Sequence, residues 1–291
     1  MAVTEEYRKA VLDDLEKLKG LSHAQKAGKL EQMFVRAVPV EKLHPNPDDE
    51  FSDPAVGPNY DIVKQYAEDL RKREALGTLL DMEPLCVQKL SPDGYMVLNG
   101  HHRWMAAKRV GIKKLPVRVV NGTMVEKIVS AVNSSENHMC VSFDLDEVLM
   151  CDSSRYPADR PPAFPFSLKY RETIRENAGA MIAQLRSQGF DVWVYTGSYL
   201  SEEYIERLLH LHKADVSGIM NGMNRKKTGG TISKTFRKKY DVMAHVDNDS
   251  LIVINTRTKD YESAELPDGA GWAAAVPQKI RDLLGSMKQE S

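Results

Sequence analysis

Hydrophobic positions follow two rhythms along the chain, and the change between them divides it. Tyr7, Val11, Leu15 and Leu18 recur at helical spacing, so residues 1–33 read as a helical segment whose apolar stripe serves packing or oligomerisation. From Val35 the pattern becomes strand (35–40), a Pro- and Asp-rich loop, helix (61–74) and strand (84–89). A turn at Pro92, Asp93 and Gly94 follows, then strand (95–98), a helix opening after Gly100, and strand (115–120). That order predicts a compact α+β domain over residues 34–125. Residues 126–138 read as a linker. Beyond it, in 139–291, strands and helices alternate: VSFDLD, a helix from Ile174 to Ser187 stopped at Gly189, DVWVYT, a helix from Glu202 to His212, VMAHVD and LIVINT. Alternation of this kind predicts parallel βαβ units, hence an α/β, doubly wound parallel sheet with helices on both faces. Ligands bind such sheets at the carboxyl ends of the strands.

Composition narrows the class. The 291 residues suit two domains at about 150 residues each. With 28% charged residues and a formal net charge of -1, the chain lacks the bulk positive charge that drives non-specific nucleic-acid binding, so any such contact would come from a local patch. Cys86, Cys140 and Cys151 are too few and too irregularly spaced for a disulfide framework or a thiolate zinc site and point to a reducing compartment. The N-terminal stretch MAVTEEYRKAVLDDLEKLKG is acidic and amphipathic rather than basic then apolar, and no apolar run could span a bilayer. The expected location is the cytoplasm, with no membrane contact.

In the second segment, Asp144, Asp146, Thr196 and Asp247 all fall at carboxyl ends of expected strands. Strand residues at i and i+2 share a face, so Asp144 and Asp146 can address one crevice. Carboxylates gathered there repel unless a cation is present, and hard oxygen ligands select magnesium. The motifs FDLDEVL, VYTGS, a downstream lysine and HVDNDS resemble, in order, those of the haloacid dehalogenase-like (HAD) phosphohydrolases over roughly residues 139–260. The resemblance implies that Asp144 is a nucleophile forming an aspartyl-phosphate, Asp146 the general acid and base, and Thr196 a hydrogen-bond donor to the phosphoryl oxygens. It implies further that Asp144, Asp146, Asp247 and Asn248 hold magnesium, with Asp249 the alternative to Asn248. Lys226, Lys227, Lys234, Lys238 and Lys239 all precede the last motif; Lys234 is preferred because it lies just before an expected helix start. Ser198 reads equally as a turn residue. Neither interval between motifs can hold a full cap domain, so the N-terminal domain is a candidate cover.

The N-terminal half carries its own signal in GHHRWMAAKRVG. A hairpin delivers Gly100, His101, His102 and Arg103 to a helix start, where free N–H groups and the positive dipole end favour an anion. For an isolated GHHR, the bland alternative is that one histidine caps the helix and Arg103 pairs with an acid inside the fold. From VPVEKLHPNP to the last LPV strand, about residues 34–120, this half resembles the ParB/sulfiredoxin-like domains, whose members bind CTP, ATP or ADP at this motif as switches, sulfinic-acid repair enzymes or free serine kinases. His101 stands where sulfiredoxins use cysteine, which argues against repair chemistry. A kinase would need an acid as base, with Glu41, Asp48, Asp49 and Glu50 available. The leading expectation is a magnesium-dependent phosphomonoesterase acting on a phosphorylated substrate and coupled to a nucleotide-binding domain. Two alternatives are a paired kinase and phosphatase, and a nucleotide-switched nucleic-acid-binding protein using the basic run from Arg225 to Lys239. The oligomeric state is left open.

Overall fold

The computed structural model describes residues 2–18, 23–47, 49–53, 55–221, 228–247, 249–267 and 269–289. Contacts divide the chain into two units, Met1–Gly122 and Thr123–Ser291. Both units are mixed α/β.

The first unit opens with α1 (Ala2–Leu18), a two-residue strand β1 (His23–Ala24) and a short helix α2 (Lys29–Met33), so the expected helical segment is broken before residue 33. Val11 of α1 is buried, as its place on the apolar stripe requires; the side chains of Tyr7 and Leu18 lie outside the described residues. A sheet of β2 (Arg36–Pro39), β3 (Leu43–Pro45), β4 (Leu85–Ser91), β5 (Tyr95–Asn99) and β6 (Lys114–Val119) runs in the order β2-β6-β4-β5-β3, with β1 pairing on β4. Two helices cover it, α3 (Tyr60–Leu76) and α4 (His101–Val110), and they pack on each other. The Asn59 side chain caps α3 by accepting from the N–H groups of Asp61 and Ile62, and Gly77 ends it in the left-handed conformation. Val63, Leu70, Leu85, Val97, Trp104 and Leu115 are fully buried between helices and sheet. Burial of a tryptophan of this size makes Trp104 the largest single apolar contribution to this core.

The second unit begins with α5 (Val125–Ser134), where the sequence suggested a linker. Ile128 and Val132, one helical turn apart, are buried against Ile232 and Phe236, and that apolar pair outweighs the loop-like residues on either side. Strands β7 (Met139–Asp144), β8 (Phe190–Thr196), β9 (Gly218–Asn221) and β10 (Val242–Asp247) are parallel. β11 (Ser250–Asn255) and β12 (Tyr261–Glu265) add antiparallel pairings, giving the order β12-β11-β10-β7-β8-β9. The expected all-parallel sheet is therefore mixed. The reason lies in the connection: Asp247 pairs directly with Ser250, and two residues can close a hairpin but cannot make a parallel crossover.

Helices α6 (Ala178–Ser187), α7 (Glu202–Leu211), α8 (Thr228–Lys239) and α9 (Trp272–Gln289) complete the unit. α6 starts later than expected because Ile174 and Arg175 bridge to Met150 and Ala158 in extended conformation. One apolar cluster, with Phe143, Val192, Val194, Val246 and Trp272, fills one face of the sheet; a second, with Cys140, Trp193, Phe236 and Tyr240, fills the other. Among the described residues no helix is long and apolar enough to cross a membrane.

Candidate functional site

Gly100 alone separates β5 from α4, and its backbone makes the turn with φ at +101°. A Cβ there would stand 2.8 Å from Leu85 Cγ and 3.2 Å from Arg103 Nη2, so only glycine fits. The turn leaves the first N–H groups of α4, those of His101 to Arg103, without intrahelical acceptors at the carboxyl end of β5. Sequence placed an anion site at this helix start; the fold sets that helix start beside a loop.

The loop runs from Asn46 to Asn59. His101 Nε2 accepts the N–H of Asn46 at 3.1 Å, and His102 Nε2 accepts the N–H of Asn59 at 3.1 Å. Phe51, 3% exposed, wedges between them, stacked 5.3 Å from the His101 ring and edge-on 5.1 Å from that of His102. Backbone N–H groups can only donate, so both imidazoles hold the loop in neutral form, each with its Nε2 lone pair. Burial pushes the His101 pKa down to about 4, against the opposing pull of Asp49. Burial lowers His102 as well, again with Asp49 opposing. The two histidines are thus acceptors that fasten the loop.

Arg103 is buried and turned inward. Its Nη1 donates to the Glu83 carbonyl and lies 3.1 Å from Glu83 Oε2, while Nη2 reaches Asn99 Oδ1 at 3.5 Å. The bland alternative, an internal pair, describes this arginine better than a free phosphate fork. Its partner carboxylate is 79% exposed, however, so an anion can compete for the guanidinium from the solvent side.

Of the acids available as a base, Asp49 lies at the motif among the described residues. Asp49 Oδ1 accepts the N–H of Phe51 at 2.9 Å and stands 3.7 Å from His101 Nδ1. Glu41 and Glu50 are exposed on turns, and Asp48 lies outside the described residues. Sequence reasoning missed His44, 6% exposed in β3 with burial lowering its pKa and no partner for Nδ1 among the described residues. Its position in the LHP strand was the available signal.

The acids of the second unit are also engaged. Asp144 Oδ1 accepts the N–H groups of Asp146 at 2.7 Å and Glu147 at 3.0 Å, capping a single turn at the end of β7. Burial raises the Asp144 pKa while these two donors lower it. Asp146 Oδ2 accepts Thr196 Oγ1 at 2.6 Å and the N–H groups of Gly197 and Ser198, and its Oδ1 accepts the Ser198 hydroxyl. Asp144, Asp146, Thr196 and Ser198 do come together. Asp247 is exposed at the end of β10. Asn248, Lys226 and Lys227 lie outside the described residues. Lys234 lies in the middle of α8 and is exposed, not ahead of a helix start, because the helix already begins at Thr228. Among the described residues no group of three or more His, Cys, Asp or Glu side chains is arranged to hold a metal ion, and Asn248 of the expected magnesium set lies outside those residues. One row was missed: Ser142 Oγ and Tyr195 Oη each lie 3.0 Å from the His245 ring, through Nδ1 and Nε2. Ser142 and His245 sit two residues before Asp144 and Asp247, so strand alternation already placed them on the same face.

Comparison with known proteins bears on the first unit. Residues 22–137 match the model of the ParB N-terminal domain, a span of less than half of the chain. A protein described as an ATP-dependent L-serine kinase, from Staphylothermus marinus, is 33% identical over 64 residues, which is 22% of this chain and 25% of that protein. The chain therefore aligns with only a quarter of that curated relative. Among solved structures, the chromosome-partitioning protein ParB from Caulobacter crescentus complexed with CTP-gamma-S is 25% identical, covering 36% of this chain and 56% of its own, with a TM-score of 0.25. A free serine kinase in complex with AMP is 9% identical over 81% of this chain and 89% of its own, with a TM-score of 0.23. Both superpositions are too loose to carry a functional argument.

These findings correct the leading expectation. The curated relative uses ATP to phosphorylate, which overturns a phosphomonoesterase as the main activity, and the descriptions hydrolase, phosphatase and HAD-like fall with it.

Proposed function

We propose that the chain is a nucleotide-using phosphotransferase, with ATP bound by its ParB-like domain at the Gly100 turn and its γ-phosphoryl group passed to a small hydroxyl acceptor such as free L-serine. The observation that carries this reading is the meeting of an open helix N-terminus with one acid, Asp49, behind a loop fastened by His101 and His102. The relative's name supplies the nucleotide and the acceptor class.

The N–H groups at the start of α4 receive phosphate oxygens, where the helix dipole and the absence of intrahelical acceptors favour negative charge. Arg103 exchanges the exposed Glu83 carboxylate for a phosphate oxygen. The acceptor hydroxyl oxygen attacks the γ-phosphorus, the bond to the β,γ-bridging oxygen breaks, ADP departs with that electron pair, and the hydroxyl proton passes to the Asp49 carboxylate. Asp144, Asp146, Thr196 and Lys234 are assigned no step in this reaction.

The test is ADP release from magnesium-ATP by the whole chain, with and without L-serine and other small alcohols. Acceptor-dependent release that falls about 100-fold or more in Asp49→Asn, with nucleotide affinity held within a few-fold, is the expected result. Acceptor-dependent release unchanged in Asp49→Asn would remove the base from the reading, and nucleotide binding insensitive to His102→Ala and Arg103→Ala would remove the site.

A further inference from the structure

His102 belongs to two structures at once. It is the second residue of α4, so its own N–H is one of those at the helix start without an intrahelical acceptor. Its ring fastens the neighbouring loop, since Nε2 accepts the N–H of Asn59 at 3.1 Å, immediately before α3 begins. The ring is half-buried and edge-on to Phe51, while Asn59 is exposed. Such a latch holds only while Nε2 keeps its lone pair; a proton there sets N–H against N–H, and the bond is lost. Exposed Asn59 can then give its amide to water, and its side chain still caps α3 through the N–H groups of Asp61 and Ile62.

The surroundings of the ring set its protonation. From the loop, Asp49 favours the cation, but burial outweighs it and lowers the His102 pKa. From α4 itself, His101 is held neutral by deeper burial, and Arg103 is turned inward to Glu83. The charged residue in the first turn of α3, Asp61, is exposed. A phosphate received at the α4 start brings further negative charge to this ring, which raises its affinity for a proton.

We propose that His102 is a proton-coupled latch: a phosphate arriving at the start of α4 draws a proton from solvent onto Nε2, which releases Asn59 and turns the ring from an acceptor in the loop into a donor to the phosphate. The inference rests on the reading of α4 as a nucleotide phosphate site and adds its regulation. The proton is held more tightly with phosphate bound, so binding takes a proton up. Affinity therefore rises as pH falls from the bound toward the free pKa of the ring, and is flat above that range.

The experiment is titration calorimetry of the whole chain with ADP at pH 6.5, in two buffers of different ionisation enthalpy, for the parent and His102→Gln. Glutamine keeps an oxygen that can accept the Asn59 N–H but takes no proton. Subtracting the variant removes the titration of the nucleotide's own phosphates. Expected is an excess of about 0.3–1 proton taken up per ADP by the parent, with an affinity that rises about three- to tenfold more than the variant's between pH 8 and 6. Nitrogen NMR of the parent, which needs no variant, should show one imidazole pass from neutral to imidazolium on adding ADP. ADP bound with no proton excess and no newly charged imidazole would overturn the latch and leave the phosphate site standing. Equal uptake by His102→Gln would place the proton elsewhere and overturn it too. Absence of ADP binding would overturn the phosphate site and the latch with it.

Discussion

Gly100→Ala tests the geometry on which the proposed site depends. Alanine at φ +101° carries the cost of left-handed backbone, about 1–2 kcal/mol. Its Cβ also meets Leu85 Cγ at 2.8 Å, and Leu85 is fully buried at the start of β4, so the core must yield at an overpacking cost of about 1–3 kcal/mol. Together these give about 2–5 kcal/mol, a large part of the 5–15 kcal/mol typical of a domain. Gly111→Ala is the control, since Gly111 has φ at +79° but nothing within 4 Å of a Cβ, leaving only the backbone cost. Urea titration followed by hydrogen exchange of the β5–α4 peptides isolates the first unit. At roughly 2 kcal/mol per molar urea, Gly100→Ala should lower the midpoint by about 1–2.5 M and Gly111→Ala by about 0.5–1 M. Equal shifts for the two variants would refute the close approach of Leu85, and no shift for either would refute the left-handed turn.

Further expectations rest on other contacts. His101 is held at a pKa of about 4 against an ordinary 6.5, so the unfolded chain binds its proton first as pH falls. Its contribution is therefore complete above pH 6.5 and is lost between 6.5 and 4, worth about 3 kcal/mol at most, and His101→Gln should flatten that part of the stability–pH curve. Tyr240 donates to Asp191 Oδ2 at 2.7 Å and accepts from Trp193 Nε1 at 3.2 Å; Tyr240→Phe should destabilise the second unit by about 1–3 kcal/mol in chemical denaturation, because the buried carboxylate and the indole both lose a partner. Trp104→Ala should cost about 3–5 kcal/mol and uncouple α3 from α4, seen as loss of exchange protection in both helices.

Most of the first unit was legible because its elements carry strong punctuation. Gly100 and Gly111 bound α4, Asn59 and Gly77 bound α3, and Pro92, Asp93 and Gly94 turn the hairpin, so those boundaries agree within about two residues. What failed was tertiary. The stretch 125–134 has a helix only because Ile128 and Val132 find a partner in α8, and β11 turns back because its connection is short, neither of which a periodicity shows. The GHHR motif could be located but not oriented. That His101 and His102 would spend their lone pairs on Asn46 and Asn59, more than forty residues away in sequence, follows from the fold alone. Of the strand-end acids of the second unit, Asp144 and Asp146 lie with Thr196 and Ser198, and their hydrogen bonds are to neighbouring backbone and hydroxyl groups.

The most direct test of the central claim is transfer of the labelled γ-phosphoryl group of ATP to L-serine by the whole chain, compared with Asp49→Asn. The account predicts a phosphorylated acceptor whose formation falls about 100-fold or more in the variant while ATP still binds. ATP bound at the first unit with no phosphorylated product from any small alcohol, or product formed equally by the variant, would contradict it.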